Sequence, residues 1–130
     1  MPKLRRLGSR GFTFIELLIV LAIMALLSSL VVSISVGKIR QSKESALKED
    51  LYQMRKAIDD DYADSGKYPK ALSELVDHRY LRVIPEDPFT RSVDTWVLEI
   101  SKDPAQRDGI VDVHSGSEEK SSDGGNYSDW

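Results

Sequence analysis

One stretch limits everything else this chain can become. From Phe12 to Val36, 25 residues carry a single charged side chain, Glu16. A helix of that length, rising about 1.5 Å per residue, spans the roughly 30 Å hydrocarbon core of a bilayer. Lys3, Arg5, Arg6 and Arg10 precede the run and predict a cytoplasmic N-terminal side. Lys38, Arg40 and Lys43 follow it and oppose that orientation, but the flank of the first segment usually dominates. The run is longer than the core of a secretory signal peptide, and no small-residue cleavage site follows it. A plain single-pass anchor accounts for the length but not for the abrupt Gly11–Phe12 junction or for Glu16.

A carboxylate at the centre of a membrane helix costs about 2.5–3.5 kcal/mol, less near an end, and such residues are usually functional and paired. No other charge lies between Phe12 and Val36, so the partner of Glu16 is terminal or intermolecular. Cleavage after Gly11 supplies one, the new α-ammonium of Phe12. Between adjacent chains in a bundle the two charges meet with both desolvated.

Gly11-Phe12-Thr13-Phe14-Ile15-Glu16, after a basic leader and before the apolar run, resembles the prepilin signature of the type IV pilin-like family. The resemblance implies a prepilin peptidase that cuts between Gly11 and Phe12 and N-methylates Phe12. It also implies that Glu16 neutralises a neighbour's N-terminus during assembly. Many members carry a proline late in the apolar stretch. Here Leu30-Val31-Val32-Ser33-Ile34-Ser35 stands there, and serine bends a helix only slightly by bonding back to the i−4 carbonyl.

Beyond the run, Leu47, Leu51, Met54, Ile58 and Tyr62 recur at three- and four-residue steps and predict an amphipathic helix over residues 37–64. Glu44 is placed with Lys43, Lys48, Glu49, Arg55, Lys56, Asp59 and Asp60 on its other faces. Gly37 is the expected weak point between the two halves. Ser65-Gly66-Lys67-Tyr68-Pro69 ends the helix, with Gly66 suited to a left-handed cap. Residues 71–76 read as a short helix, and Ile84 to Pro88 as irregular. Trp96, Leu98 and Ile100 alternate with Val97, Glu99 and Ser101. Ile110, Asp112 and His114 alternate with Val111 and Val113. A turn-rich loop separates the two runs, which predicts an antiparallel pair. The tail from Ser115 is rich in Ser, Gly and acid, yet Tyr127 and Trp130 predict that it docks.

The landmarks Asp64-Ser65-Gly66-Lys67-Tyr68-Pro69, Leu72-Ser73-Glu74-Leu75, Tyr80-Leu81, Pro85-Glu86-Asp87-Pro88 and the loop closing on Trp130 resemble, in that order, the major pseudopilins of type II secretion. Phe89-Thr90 stands where that group usually has Trp-Gly, and its paired loop aspartates are missing. The resemblance implies an α+β, pilin-like fold in four parts. These are a basic leader (1–11), a transmembrane assembly helix (12–36), its amphipathic continuation (37–64) and a small globular region with an antiparallel sheet (65–130). It also implies a homopolymer in the bacterial inner membrane, with other pseudopilins, the prepilin peptidase and the inner-membrane assembly platform as partners. Calcium in the terminal loop is a further implication. Its ligands would be Glu118 and Asp123, the Asn126 amide oxygen and the Ser115 and Ser117 carbonyls, since calcium takes six to eight oxygens. A metal-free loop held by Tyr127 and Trp130 is the alternative, favoured by the missing aspartates.

Composition narrows the function further. Without its first eleven residues the chain carries a net charge of −7, which argues against nucleic acid. There is no cysteine, so disulfides and thiolate metal sites are excluded. His78 and His114 are far apart and show no metal-ligand spacing in sequence. No phosphate loop or nucleophile elbow is present. The expectation is a structural subunit, not an enzyme. A minor type IV pilin and an unprocessed, membrane-anchored binding module are the alternatives.

Overall fold

The computed structural model describes Pro2 and residues 11–130. The basic leader expected over residues 1–11 lies, apart from Pro2 and Gly11, outside the described residues. The chain divides into two compact units at Lys38 and Ile39. Helix α1 (Phe14–Ser65) contributes to both and includes Gly37.

In the first unit, α1 exposes its large apolar side chains, from Phe14 to Val36. A helix suits this run because hydrocarbon offers no partner for backbone N–H and C=O, and a helix satisfies them within the segment. Among the described residues α1 is the one helix long and apolar enough to cross a membrane. The Ser35 hydroxyl donates to the Val31 carbonyl at 2.9 Å, the back-bonding expected of a serine there.

In the second unit, α1 is one wall of the core. Leu47, Leu51, Met54, Ala57 and Ile58 are buried along one stripe. They pack with Leu72 and Leu75 of α2 (Leu72–Asp77), with Leu81, Trp96 and Tyr127, and with Ile110 and Val113. Fully burying such a side chain contributes about 1.5–3 kcal/mol. Two residues depart from expectation. Tyr62, assigned to the stripe, is 41 % exposed and stacks on Tyr68 with ring centroids 4.3 Å apart. Glu44, assigned to a solvated face, is buried, as is Asp61. At three-residue steps from Leu47 and Ile58, these two acids extend the apolar stripe at either end. Each is tolerated because it is hydrogen-bonded. Asp61 lies 3.2 Å from His78 Nδ1, and the bonds of Glu44 are described below.

Gly66 stops α1 with φ 71°, its N–H donating to Tyr62 O at 2.8 Å. The segment between α2 and the sheet is irregular and organised by Asp87, which is fully buried. Its Oδ1 accepts from the N–H groups of Phe89 (2.9 Å) and Thr90 (3.4 Å). Strands β1 (Val97–Ile100) and β2 (Ile110–His114) pair antiparallel in a two-stranded sheet. Glu99 faces Asp112, but Ile100 faces Ile110, so the register steps past Val111. That bulge breaks the simple alternation and brings Ile110 and Val113 into the core together. β1 is exposed along its whole length. Leu98 and Ile100 therefore do not join Trp96 in the core, although the three share a parity. The architecture is the expected α+β one, a long N-terminal helix with a small antiparallel sheet.

Candidate functional site

The first turn of α1 assembles the residues of the processing and assembly signature. Gly11 has open space where a side chain would begin, and Phe12 is 89 % exposed. Thr13 starts the helix. Its Oγ1 accepts from the Glu16 N–H at 3.3 Å, and its carbonyl accepts from the Leu17 N–H at 3.2 Å. Thr-x-x-Glu is the spacing of a capping box, in which the hydroxyl satisfies one of the orphan N–H groups of the first turn. In the sequence Thr13 stands only as part of the signature, although the Thr-x-x-Glu spacing also identifies it as a cap. Glu16 sits in the first turn, where the helix dipole favours an acid. Among the described residues no basic side chain forms an ion pair with it.

The terminal loop is closed by a hub on Glu44. Tyr127, fully buried, donates its hydroxyl to Glu44 Oε1 at 2.7 Å. The Ser122 N–H donates to Oε1 (2.8 Å) and the Ser122 hydroxyl to Oε2 (2.7 Å). Arg40 Nε donates to the Tyr127 hydroxyl at 3.2 Å, and its Nη2 to the Lys120 carbonyl. The Tyr127 hydroxyl, and next Ser122, hold the Glu44 carboxyl below its ordinary range. Burial, reinforced by the bond to Glu44, pushes the Tyr127 phenol up. The Tyr127 ring stacks on Phe89 at 3.9 Å and meets Trp130 edge-on at 5.0 Å. Phe89 thus gives the docked loop an aromatic platform at a position where the resembled group carries tryptophan. Arg55 completes the clasp, donating to Asp112 Oδ1 (2.7 Å), the Val113 carbonyl (2.9 Å) and the Trp130 main-chain oxygen (2.7 Å).

The residues expected to hold calcium lie in this loop, and several of their polar atoms bond within the protein. Ser115 is buried and donates its hydroxyl to Asp87 Oδ2 at 2.6 Å. The Ser117 hydroxyl accepts from the Glu119 N–H at 3.2 Å. Asp123 Oδ1 accepts from the Ser121 hydroxyl and from the Gly125 N–H (3.1 Å), and the Ser121 bond above all holds its carboxyl low. Asn126 donates to Asp129 Oδ2 at 3.4 Å, and Glu118 is exposed. These bonds engage Asp123 Oδ1 and the serine hydroxyls, so the loop is held together by protein groups.

A prokaryotic N-terminal methylation motif matches residues 6–32, the segment that holds Gly11, Phe12, Thr13 and Glu16. The chain is 27 % identical over 121 residues to the type II secretion system core protein G of Klebsiella michiganensis, covering 86 % of this chain and 85 % of that one. It is 29 % identical over 131 residues to core protein G of Klebsiella pneumoniae, with 91 % and 94 % covered. The chain resembles the type IV pilin-like family. In that family its likeness is to the major pseudopilins of type II secretion. Core protein G of Dickeya chrysanthemi, 29 % identical over 115 residues with 82 % and 75 % covered, extends the same likeness. No solved structure matches this pilin-like chain.

Proposed function

We propose that this chain is a structural subunit of a type II secretion pseudopilus, without catalytic activity. It is cleaved after Gly11, N-methylated on Phe12 and polymerised through the first unit of α1 to drive protein export. The observation that carries the reading is a lone acid, Glu16, in the first turn of α1, whose stretch up to Val36 is otherwise free of charge and exposes its large apolar side chains beside the Gly11–Phe12 junction. Its sequence likeness to the secretion core proteins supports the secretion role over a minor pilin. In this reading the leader is cytoplasmic, α1 crosses the inner membrane once, and residues beyond 38 lie on the periplasmic side. The partners are further copies of the chain, other pseudopilins, the prepilin peptidase and the assembly platform. The terminal loop is the metal-free alternative, closed by Glu44, Tyr127 and Asp87, and calcium is an additive it does without.

Intact-mass analysis of the mature protein tests the core of this reading. The expected mass is that of residues 12–130 plus one methyl group. In Gly11→Val, whose β-branched side chain obstructs the junction, the precursor should stay uncleaved in the membrane. Normal cleavage in that variant, or cleavage elsewhere in the natural chain, overturns the assignment and leaves an anchored binding module.

A further inference from the structure

The β-ladder assembles a group of side chains that the pseudopilus reading does not use. His114 Nε2 lies 3.5 Å from Glu99 Oε2 and 3.6 Å from Asp112 Oδ2. One ligand-type atom from each of the three residues lies within 4.8 Å of the others. The register is the cause. Glu99 and Asp112 are direct cross-strand partners, and His114, two residues further along β2, stands on the same face. Like charges directly opposite one another destabilise a ladder, so this face calls for a cation. Arg55 neutralises one oxygen, Asp112 Oδ1, and leaves Oδ2 toward the histidine.

The second observation is the histidine tautomer. Nδ1 of His114 is 2.9 Å from the main-chain oxygen of Trp130. That oxygen has no proton to give, so Nδ1 carries the hydrogen and donates it. Nε2 is then the ring nitrogen turned toward the two carboxylate oxygens. A main-chain oxygen held by one ring nitrogen, with the other turned toward carboxylates, is the outer-shell arrangement that orients a metal-ligating histidine. Atoms bound to zinc at about 2.0–2.1 Å and at tetrahedral angles lie about 3.3–3.4 Å apart, close to the 3.5 Å and 3.6 Å that separate His114 Nε2 from the two carboxylate oxygens.

We propose that His114 Nε2, Glu99 Oε2 and Asp112 Oδ2 form an open site for one divalent transition cation of the zinc class. An imidazole with two carboxylates suits such an ion, whereas calcium prefers an all-oxygen shell. The Glu99, Asp112 and His114 side chains are 52 %, 34 % and 26 % exposed, which leaves the remaining position to water. Arg55 and the Val113 N–H, both donating to Asp112 Oδ1, hold the second oxygen in place. Because His114 also holds the Trp130 oxygen, the ion would secure the end of the terminal loop. The site does not depend on the secretion reading, since none of its residues belongs to the processing or assembly signature.

The test is calorimetric titration of the full chain, purified in detergent without a polyhistidine tag, with zinc chloride at pH 8 in excess calcium. One saturable zinc per chain is expected. Glu99→Gln, a change at an exposed side chain, should weaken binding at least about tenfold. His114→Gln should abolish it, and cobalt in place of zinc should give a visible spectrum that both variants alter. Glu118→Gln should bind like the natural chain. No saturable binding, or an unchanged affinity in Glu99→Gln, overturns the proposal and leaves the three side chains as an ordinary polar cluster on the ladder.

Discussion

The Tyr127 hydroxyl donates to Glu44 Oε1 at 2.7 Å, joining residues 83 positions apart in sequence. The bond pins the terminal loop to α1 at the point where its buried stripe begins. It carries both hydrogen-bonding and ionisation energy, because the carboxylate is the stronger acceptor and is buried. Tyr127→Phe removes the hydroxyl and keeps the aromatic stacking, so the loss isolates the bond. About 1–3 kcal/mol of destabilisation is expected. Thermal melting of the detergent-solubilised chain measures it, and an unchanged midpoint contradicts the hub.

The same bond fixes the sign of a pH effect. The folded-state carboxyl of Glu44 is lowered from its ordinary 4.5 by Tyr127 first and Ser122 next. Its contribution is fully present above the unfolded value and is lost as pH falls through the lower, folded one. Melting of the natural chain should therefore drop more steeply below about pH 4.5 than that of Glu44→Gln. Parallel acid profiles for the two chains would show that Glu44 is not held in its charged form.

Gly116 is the glycine whose replacement should cost most. A Cβ there would lie 2.0 Å from the Thr95 carbonyl oxygen, and backbone on both sides prevents an inexpensive shift. Gly116→Ala should destabilise by about 1–3 kcal/mol, the usual range for overpacking. Gly37→Ala, in open space within α1, should be neutral or stabilise by up to about 1 kcal/mol. Equal melting temperatures for these two variants would contradict the close approach at Thr95.

Glu16→Ala separates assembly from folding. The variant should be inserted and processed normally, since a charge has left the span, while filaments disappear. The second unit, whose core residues lie beyond Ile39, should melt as in the natural chain. A filament yield equal to that of the natural chain would refute pairing between Glu16 and a neighbour's Phe12 ammonium.

Calcium offers a further comparison. A ligand at a hundred times its dissociation constant stabilises by about 2.7 kcal/mol. With the loop closed by protein groups, zinc-free chain should melt alike in calcium and in chelator. A clear rise in calcium that Asp123→Ala erases would restore the implied calcium site and displace the metal-free loop.

Much of the fold was legible in one dimension because its signals are local. The apolar run, the 3- and 4-residue stripe from Leu47 to Ile58 and the glycine stop at Gly66 each express backbone periodicity or a single residue's allowed φ. So do the short helix and the antiparallel strand pair. The processing signature was equally readable, since a peptidase reads contiguous residues. What the sequence could not decide was the fate of its polar side chains. Glu44 looks like one more surface charge until Tyr127 and Ser122 arrive from the far end of the chain to satisfy it. Tyr62 has the spacing of a core residue, but its ring stacks on Tyr68 instead. The step past Val111 changes which face each β2 side chain meets. The convergence of His114 on Glu99 and Asp112 exists only in the paired ladder. By itself the sequence determined where the chain is helical and apolar and where its N-terminal methylation motif lies. Tertiary structure decided which charges are buried and which meet, because that depends on partners brought together by packing and strand register.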